Sequence, residues 1–258
     1  LEICVTEYSM TESSAFIKFA EQSGLNEISA FLRAVSDGWG WKLLYRGHAN
    51  ASWTALPSAF RPGASGLKSA AQLSRWRSMA QRFASPPPAD ELAYLVLAQH
   101  YGVKTALLDW TSNPLTALFF ACEPSEAGRN QPGEVLAIER GHFAFCETTM
   151  FVQPFATERE KPLLVDSSAM NPRSTAQDSY MSLHIPKEAP LPTRSIFTIP
   201  YDKKHQIRLA LELLGLTPER VYVDLAVAAS RMMEYINSID AFDQFIDDLN
   251  KKVAEENG

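Results

Sequence analysis

The chain reads as an α+β fold, and three observations predict it. Helical periodicity dominates the first half and the C-terminal tail, whereas short strand-like runs cluster between them. The helices and strands do not alternate as βαβ units, so a parallel doubly wound sheet is not expected. The apolar fraction, 46% of 258 residues, is enough for one full-sized core with no repeat along the chain. We therefore expect a single domain spanning residues 1–258. It comprises a helical N-terminal lead over 11–36, a core over 41–230 and C-terminal helices over 218–250. These helices surround a mixed or antiparallel central sheet.

The elements follow in order. After the break at Ser23-Gly24, residues 26–35 place Ile28, Phe31, Leu32 and Val35 at helical spacing. Gly38 and Gly40 end that helix. Residues 41–45 (WKLLY) are short, apolar and aromatic, as a buried strand requires, and Arg46-Gly47 closes it. A loop over 57–66 leads to a basic amphipathic helix over 67–83, stopped by three prolines at 86–88. Asp90 is placed to cap a helix over 91–101. A strand over 105–108 precedes a helix over 114–122, whose Pro114 suits the first turn. Residues 134–139 alternate as a strand. The proline-rich stretch 143–200 suggests several strands joined by long loops, with a short helix over 156–161. A helix over 203–214 ends at Gly215. Thr217-Pro218 then starts the last helical region, with Thr as cap and Pro at the first helical position.

Composition narrows the chemistry. The formal net charge is −6, so no global basic field points to a broad phosphate backbone. The three cysteines are widely spaced and form no metal-ligand pattern, which fits a reducing compartment and no metal. There is no run of about 18 apolar residues and no basic-then-apolar leader, so a cytoplasmic protein without a membrane partner is expected. Walker A and dinucleotide glycine patterns are absent.

Two segments can carry function. In Tyr45-Arg46-Gly47-His48 an arginine follows an apolar run. A guanidinium there serves either a structural ion pair or bidentate binding of phosphate or carboxylate. The second segment, residues 99–121 (QHYGVKTALLDWTSNPLTALFFA), sets Gln99, His100, Tyr101, Asp109, Trp110, Thr111 and Asn113 among apolar residues. Such polar groups must find partners or line a pocket. Asp109 can cap the next helix or serve a site. His100 is a satisfied structural histidine or a general base oriented by Asp109, as in a metal-independent nuclease or hydrolase. Trp110 is core or pocket wall.

These motifs resemble the FRG domain, named for a Phe-Arg-Gly motif. Tyr45-Arg46-Gly47 stands at that motif, followed by Pro57-Ser58-Ala59-Phe60-Arg61. The block from Gln99 to Ala121 matches the family's Gln-His-Tyr-Gly and Leu-Leu-Asp-Trp-Thr-x-Asn-Pro signature almost letter for letter. Asn171-Pro172-Arg173 and Ala176-Gln177-Asp178-Ser179-Tyr180 resemble its later Arg and Gln-x-Gly-x-Phe run, with Asp178-Ser179 departing from it. A weaker resemblance is to ADP-ribosyltransferases of the Arg-Ser-Glu kind. They order an arginine after the first strand, a polar strand end before a helix, and a strand bearing a carboxylate. Arg46, Asp109-Trp110-Thr111 and Gln177-Asp178 occur in that order.

This second resemblance implies NAD as ligand and ADP-ribosyl transfer to a protein or nucleic acid, while the FRG resemblance fits the setting of a toxin or phage-defence effector. Arg46, Gly47 and Arg61 would bind phosphate, Tyr101 or Trp110 would stack on nicotinamide, and Thr111 would brace the ribose. His100, Asp109 and Gln177 or Asp178 would complete the site. The open alternatives are a non-catalytic nucleotide- or nucleic-acid-binding module and a protein-interaction module.

Overall fold

The computed structural model describes residues 24–36, 42–146, 152–156, 158–167, 170–185 and 191–256. Within them the strands are β1 (Leu43–His48), β2 (Leu107–Thr111), β3 (Gly133–Glu139), β4 (Ala144–Phe145), β5 (Leu163–Asp166), β6 (Ser179–Leu183) and β7 (Arg194–Ile199). They form one seven-stranded sheet in the order β4-β5-β6-β2-β1-β3-β7. Every pairing is antiparallel except β4–β5, so the sheet is mixed by one short edge pair. The helices are α1 (Leu25–Ser36), α2 (Ala70–Ala80), α3 (Glu91–His100), α4 (Pro114–Ala121), α5 (Pro172–Ala176), α6 (Lys204–Leu213), α7 (Pro218–Tyr222) and α8 (Leu225–Glu256). The α+β class expected from the sequence is the class observed.

Alternation along the strands divides the core into three parts. Leu43 and Tyr45 of β1 point with Val135 and Ala137 of β3 into a cluster closed by Phe31 of α1, Phe119 of α4 and Ile207 of α6. Leu107 of β2 and Met181 and Leu183 of β6 meet Leu92 and Leu95 of α3 and Leu73 of α2 in a second cluster. Leu44, Trp110, Leu136 and Ile138 lie in a third, where Phe143 meets the Trp110 ring edge-on at 5.9 Å. The register Tyr45↔Thr111 puts the first two clusters over the same face of the sheet. Two separate helical groups thus cover one face, and they meet above the β1–β2 junction.

Local chemistry places several boundaries. The Asp90 carboxylate accepts from the Ala93 amide, as the capping reading required. Asn113 caps α4 through Leu115 and Thr116, with Pro114 in the first turn. Gly102 (φ +78°) and Gly215 (φ +86°) follow the ends of α3 and α6 in the left-handed conformation glycine tolerates.

Several expectations need correction. Arg46 and Gly47 lie inside β1 rather than after it, because the β3 ladder continues to His48↔Glu134. The second strand begins later and runs through Asp109, Trp110 and Thr111, held by β6. The helix expected over 67–83 is confined to 70–80. The described residues within 156–161 are not helical, in a stretch that Pro162 follows. Thr217 has the extended backbone of a cap but makes no side-chain cap bond. Trp41 and the part of the N-terminal lead before Gly24 lie outside the described residues.

Candidate functional site

β1 pairs with β3 along all six of its residues, but with β2 at the single register position Tyr45↔Thr111. Beyond that point the two central strands part. Arg46 occupies the gap: its Nη1 donates to the Asp109 carbonyl at 2.6 Å, where a ladder hydrogen bond would otherwise form. Its Nε donates to Nε2 of His48 at 3.0 Å.

That second bond sets the state of His48. A ring nitrogen that accepts from a guanidinium carries no proton, so His48 is neutral with its proton on Nδ1. Burial pushes its pKa down to about 3, and the nearby charges of Arg46 and Arg61 push the same way. The Trp53 backbone opposes the shift through a contact that falls short of good hydrogen-bond geometry. Burial also lowers Arg46 from its ordinary value, with Asp109 opposing and Arg61 adding. A guanidinium remains charged under such a shift.

Gly47 has a structural reason to be glycine. A Cβ there would lie 2.0 Å from the Ala117 carbonyl oxygen and 2.6 Å from the Ala121 amide nitrogen. The small residues Ala117 and Ala121 bring the α4 backbone onto β1 at this point. The close approach that glycine permits is therefore to a helix, although Gly47 also borders the cleft.

The opposite side is braced by polar side chains. Nε2 of Gln99, at the end of α3, donates to Asp109 Oδ1 at 2.6 Å, and Gln99 Oε1 accepts from the Thr105 hydroxyl. The Thr111 hydroxyl donates to the Gln177 carbonyl at 2.6 Å and accepts from the Asn113 amide at 3.0 Å. This ties the end of β2 to the turn before β6. The Gln177 side chain turns away toward α7, where Nε2 donates to the Val221 carbonyl at 3.0 Å. Asp178, with φ +47°, accepts from Asn113 Nδ2 at 3.3 Å.

A third wall comes from α5 and the residues after α4. Arg173 stacks on the Tyr222 ring at 4.8 Å, and no hydrogen bond or ion pair holds its guanidinium among the described residues. The Tyr222 hydroxyl donates to Glu123. Burial, with the Glu123 charge adding, raises the Tyr222 pKa. His100 is lowered by burial first and by Arg173 second, against Asp224, so it is neutral at pH 7.

These walls enclose a cleft of about 520 Å³. The size falls within the range of small-ligand sites. Of the sequence-derived candidates, Arg46, Gly47, His100, Asp109, Trp110, Thr111 and Gln177 border it; Tyr101 and Arg61 do not. Tyr101 is 70% exposed and packs its ring against His100. Arg61 is exposed, with Nε donating to the Leu56 carbonyl at 3.4 Å, and reaches the site only through its charge. The Trp110 ring is buried on the other face of the sheet, with Nε1 donating to Ser182 Oγ at 2.8 Å, which settles it as core. No hydrogen bond joins His100 to Asp109, and Asp109 does not cap α4; Asn113 does. Sequence reasoning did not nominate Trp53, Glu123 or Arg173 as site residues, and all three line the cleft. The Asn171-Pro172-Arg173 motif was a usable signal for the last of them.

Among the described residues no group of three or more His, Cys, Asp or Glu side chains is arranged to hold a metal ion. No helix among them is long and apolar enough to cross a membrane. Residues 41–130 match the family model of the FRG domain. Comparison with curated proteins and with solved structures found no match.

Proposed function

The segment 41–130 carries an FRG domain, and on that premise we propose that its cleft binds a dinucleotide of the NAD type and supports ADP-ribosyl transfer to a macromolecular acceptor. One observation carries the reading. Arg46 on β1, Thr111 on β2 and Gln177 in the turn before β6, drawn from three distant segments, adjoin a single cleft, with a second guanidinium, Arg173, on its wall. They follow the order that the resemblance to ADP-ribosyltransferases names, with an amide where that pattern has a carboxylate.

The residues fit such a ligand. Two guanidinium groups suit the two phosphates of a pyrophosphate. Trp53, 37% exposed on the cleft rim, offers a ring face for stacking. Bound NAD would supply an ADP-ribosyl group joined to a neutral leaving group, nicotinamide. Arg46 would orient the phosphates. The Thr111–Gln177 bond would keep the floor of the cleft rigid. The carboxylate would come from Asp109, with one oxygen held by Gln99, because Gln177 is uncharged and Asp178 is turned toward Asn113. In this role Asp109 accepts the acceptor's proton. A reducing, cytoplasmic setting and a toxin or phage-defence role belong to the same proposal.

A second reading is favoured by a specific observation. With the Gln177 amide committed to Val221, no carboxylate stands at the third position, and the cleft then reads as one that holds a nucleotide without turning it over. Calorimetry with NAD tests binding. Incubation with NAD labelled in the adenylate, together with cell extract, tests transfer after separation into protein, RNA and DNA. Binding that Arg173→Met weakens at least tenfold, with label appearing in one fraction, supports the first reading. Binding without label supports the second. No binding at millimolar NAD overturns both.

A further inference from the structure

We infer that α8 is one strand of a parallel two-stranded coiled coil whose other strand is α8 of a second copy of this chain. The helix runs 32 residues, Leu225–Glu256, or about 48 Å at the standard rise. Its start is fastened to the body: Arg231 pairs with Glu212 of α6 at 2.6 Å and with Glu219 of α7 at 3.7 Å. Apolar side chains on both sides of that anchor stand exposed. Leu225 is 85% exposed, Met232 54% and Ile239 41%.

These residues are spaced as a heptad seam. Leu225, Ala228, Met232, Tyr235 and Ile239 follow one another at steps of three and four, and the sequence keeps the step through Phe242, Ile246, Leu249 and Val253. An unbroken 3.5-residue repeat over four heptads is the pattern of a supercoiled helix pair, whereas a helix lying on a globular core follows the 3.6 period with a broader stripe. A solitary helix of this length gains little from propensity alone and needs a partner for its apolar face.

The identity of the residues selects the partner. In the last three heptads the first core position is Ile239, Ile246 and Val253, all β-branched, and the second ends on Leu249. β-branched residues at the first position belong to the parallel two-stranded pattern; the second position runs Ala228, Tyr235, Phe242 and Leu249, so the first position carries the preference. In a parallel pair of identical chains the flanking contacts set Arg231 against Ile236, Ser238 against Asp243 and Phe245 against Asn250, so no like charges meet. Apart from the small Ala228, eight seam side chains per copy at roughly 100 Å² each would bury about 800 Å² per partner, the size of a stable interface.

Light scattering on the eluting 258-residue chain tests this. The expected mass is twice 28.7 kDa, falling twofold to the monomer in Ile239→Asp/Ile246→Asp, while the circular dichroism of the body and NAD binding in the cleft persist. A second variant tests orientation: Met232→Cys faces its own copy in a parallel pair and should cross-link under mild oxidant, against the parent chain as control. A monomeric parent chain at about 100 μM, a trimer, a double variant that stays dimeric, or an absence of Met232→Cys cross-linking would each overturn the inference.

Discussion

The two flanks of β1 differ more than any other neighbouring parts of the molecule. On one side β3 is laddered to β1 residue by residue, from Leu43↔Glu139 to His48↔Glu134. On the other, β2 touches it at one register position and then diverges. The first flank is ordinary sheet, closed beneath α4. The second holds a side chain, Arg46, where backbone pairing would be, and the cleft opens there. A site can thus be made by withholding hydrogen bonds from the middle of a sheet, provided that a charged side chain satisfies the carbonyls left over.

The laddered flank breaks with the largest effect. Gly47→Ala drives a Cβ into the α4 backbone, where no side chain can yield. The expected loss is more than about 3 kcal/mol, in the range of severe overpacking, read as a shift of the urea midpoint. Gly141→Ala is the control: nothing lies within 4 Å of its Cβ, and the change should stay within about 0.5 kcal/mol. Equal effects at the two glycines would show that α4 does not press on β1 as described.

The open flank comes next. Arg46→Met keeps much of the stem but removes both donors, leaving the Asp109 carbonyl and His48 Nε2 without partners. A charge-assisted bond of this kind contributes about 1.5–3 kcal/mol, so a loss of about 2–3 kcal/mol is expected, together with loss of the NAD binding proposed above. Arg46→Lys separates the two roles, since it keeps charge without the planar fork. A lysine variant with full stability and full binding would remove the case for bidentate recognition.

What could be read in advance follows the same divide. The polar cluster from Gln99 to Asn113 was legible because its members are close in sequence and their caps and breaks are local signals. The role of Gly47 was not, since nothing in its own neighbourhood says that α4 crosses it. Arg173 and Glu123 were missed as site residues for a related reason: they reach the cleft only once β6 docks on β2 and α7 packs behind α5. Trp110 was left open between core and pocket because strand alternation decides it, and that depends on where β2 begins. The expected strand ended at Leu108; the observed one runs to Thr111, which sends the indole to the far face and the Asp109 carboxylate toward the cleft.

Acid should weaken the open flank selectively. The folded pKa of His48 lies near 3 and its unfolded value near 6.5, so the unfolded chain binds the proton first. The stability associated with neutral His48 is complete above pH 6.5 and is lost as pH falls toward 3. The slope is at most about 1.4 kcal/mol per pH unit, measured as denaturant midpoint against pH. Removing Arg46 lifts one of the charges that depress His48, so the acid slope of Arg46→Met should be shallower than that of the parent. An identical slope in both proteins would mean that the Arg46 charge contributes nothing to the histidine's shift.

The smallest expected effect tests whether the floor of the cleft is held from below. Thr111→Val preserves shape and β propensity while deleting the hydroxyl that links the Gln177 carbonyl to the Asn113 amide. Two backbone groups lose a partner, yet both lie near the cleft, where water can replace it. The cost should therefore stay near about 1 kcal/mol, toward the low end for an unmade hydrogen bond. Its consequence for binding should be larger than for stability, because β2 and the turn before β6 would no longer move as one body. Calorimetry on Thr111→Val beside Thr111→Ser separates the two. Serine retains the hydroxyl and should restore the proposed NAD affinity, whereas a valine variant that binds as well as the parent would show that the floor is fixed by the β2–β6 ladder alone.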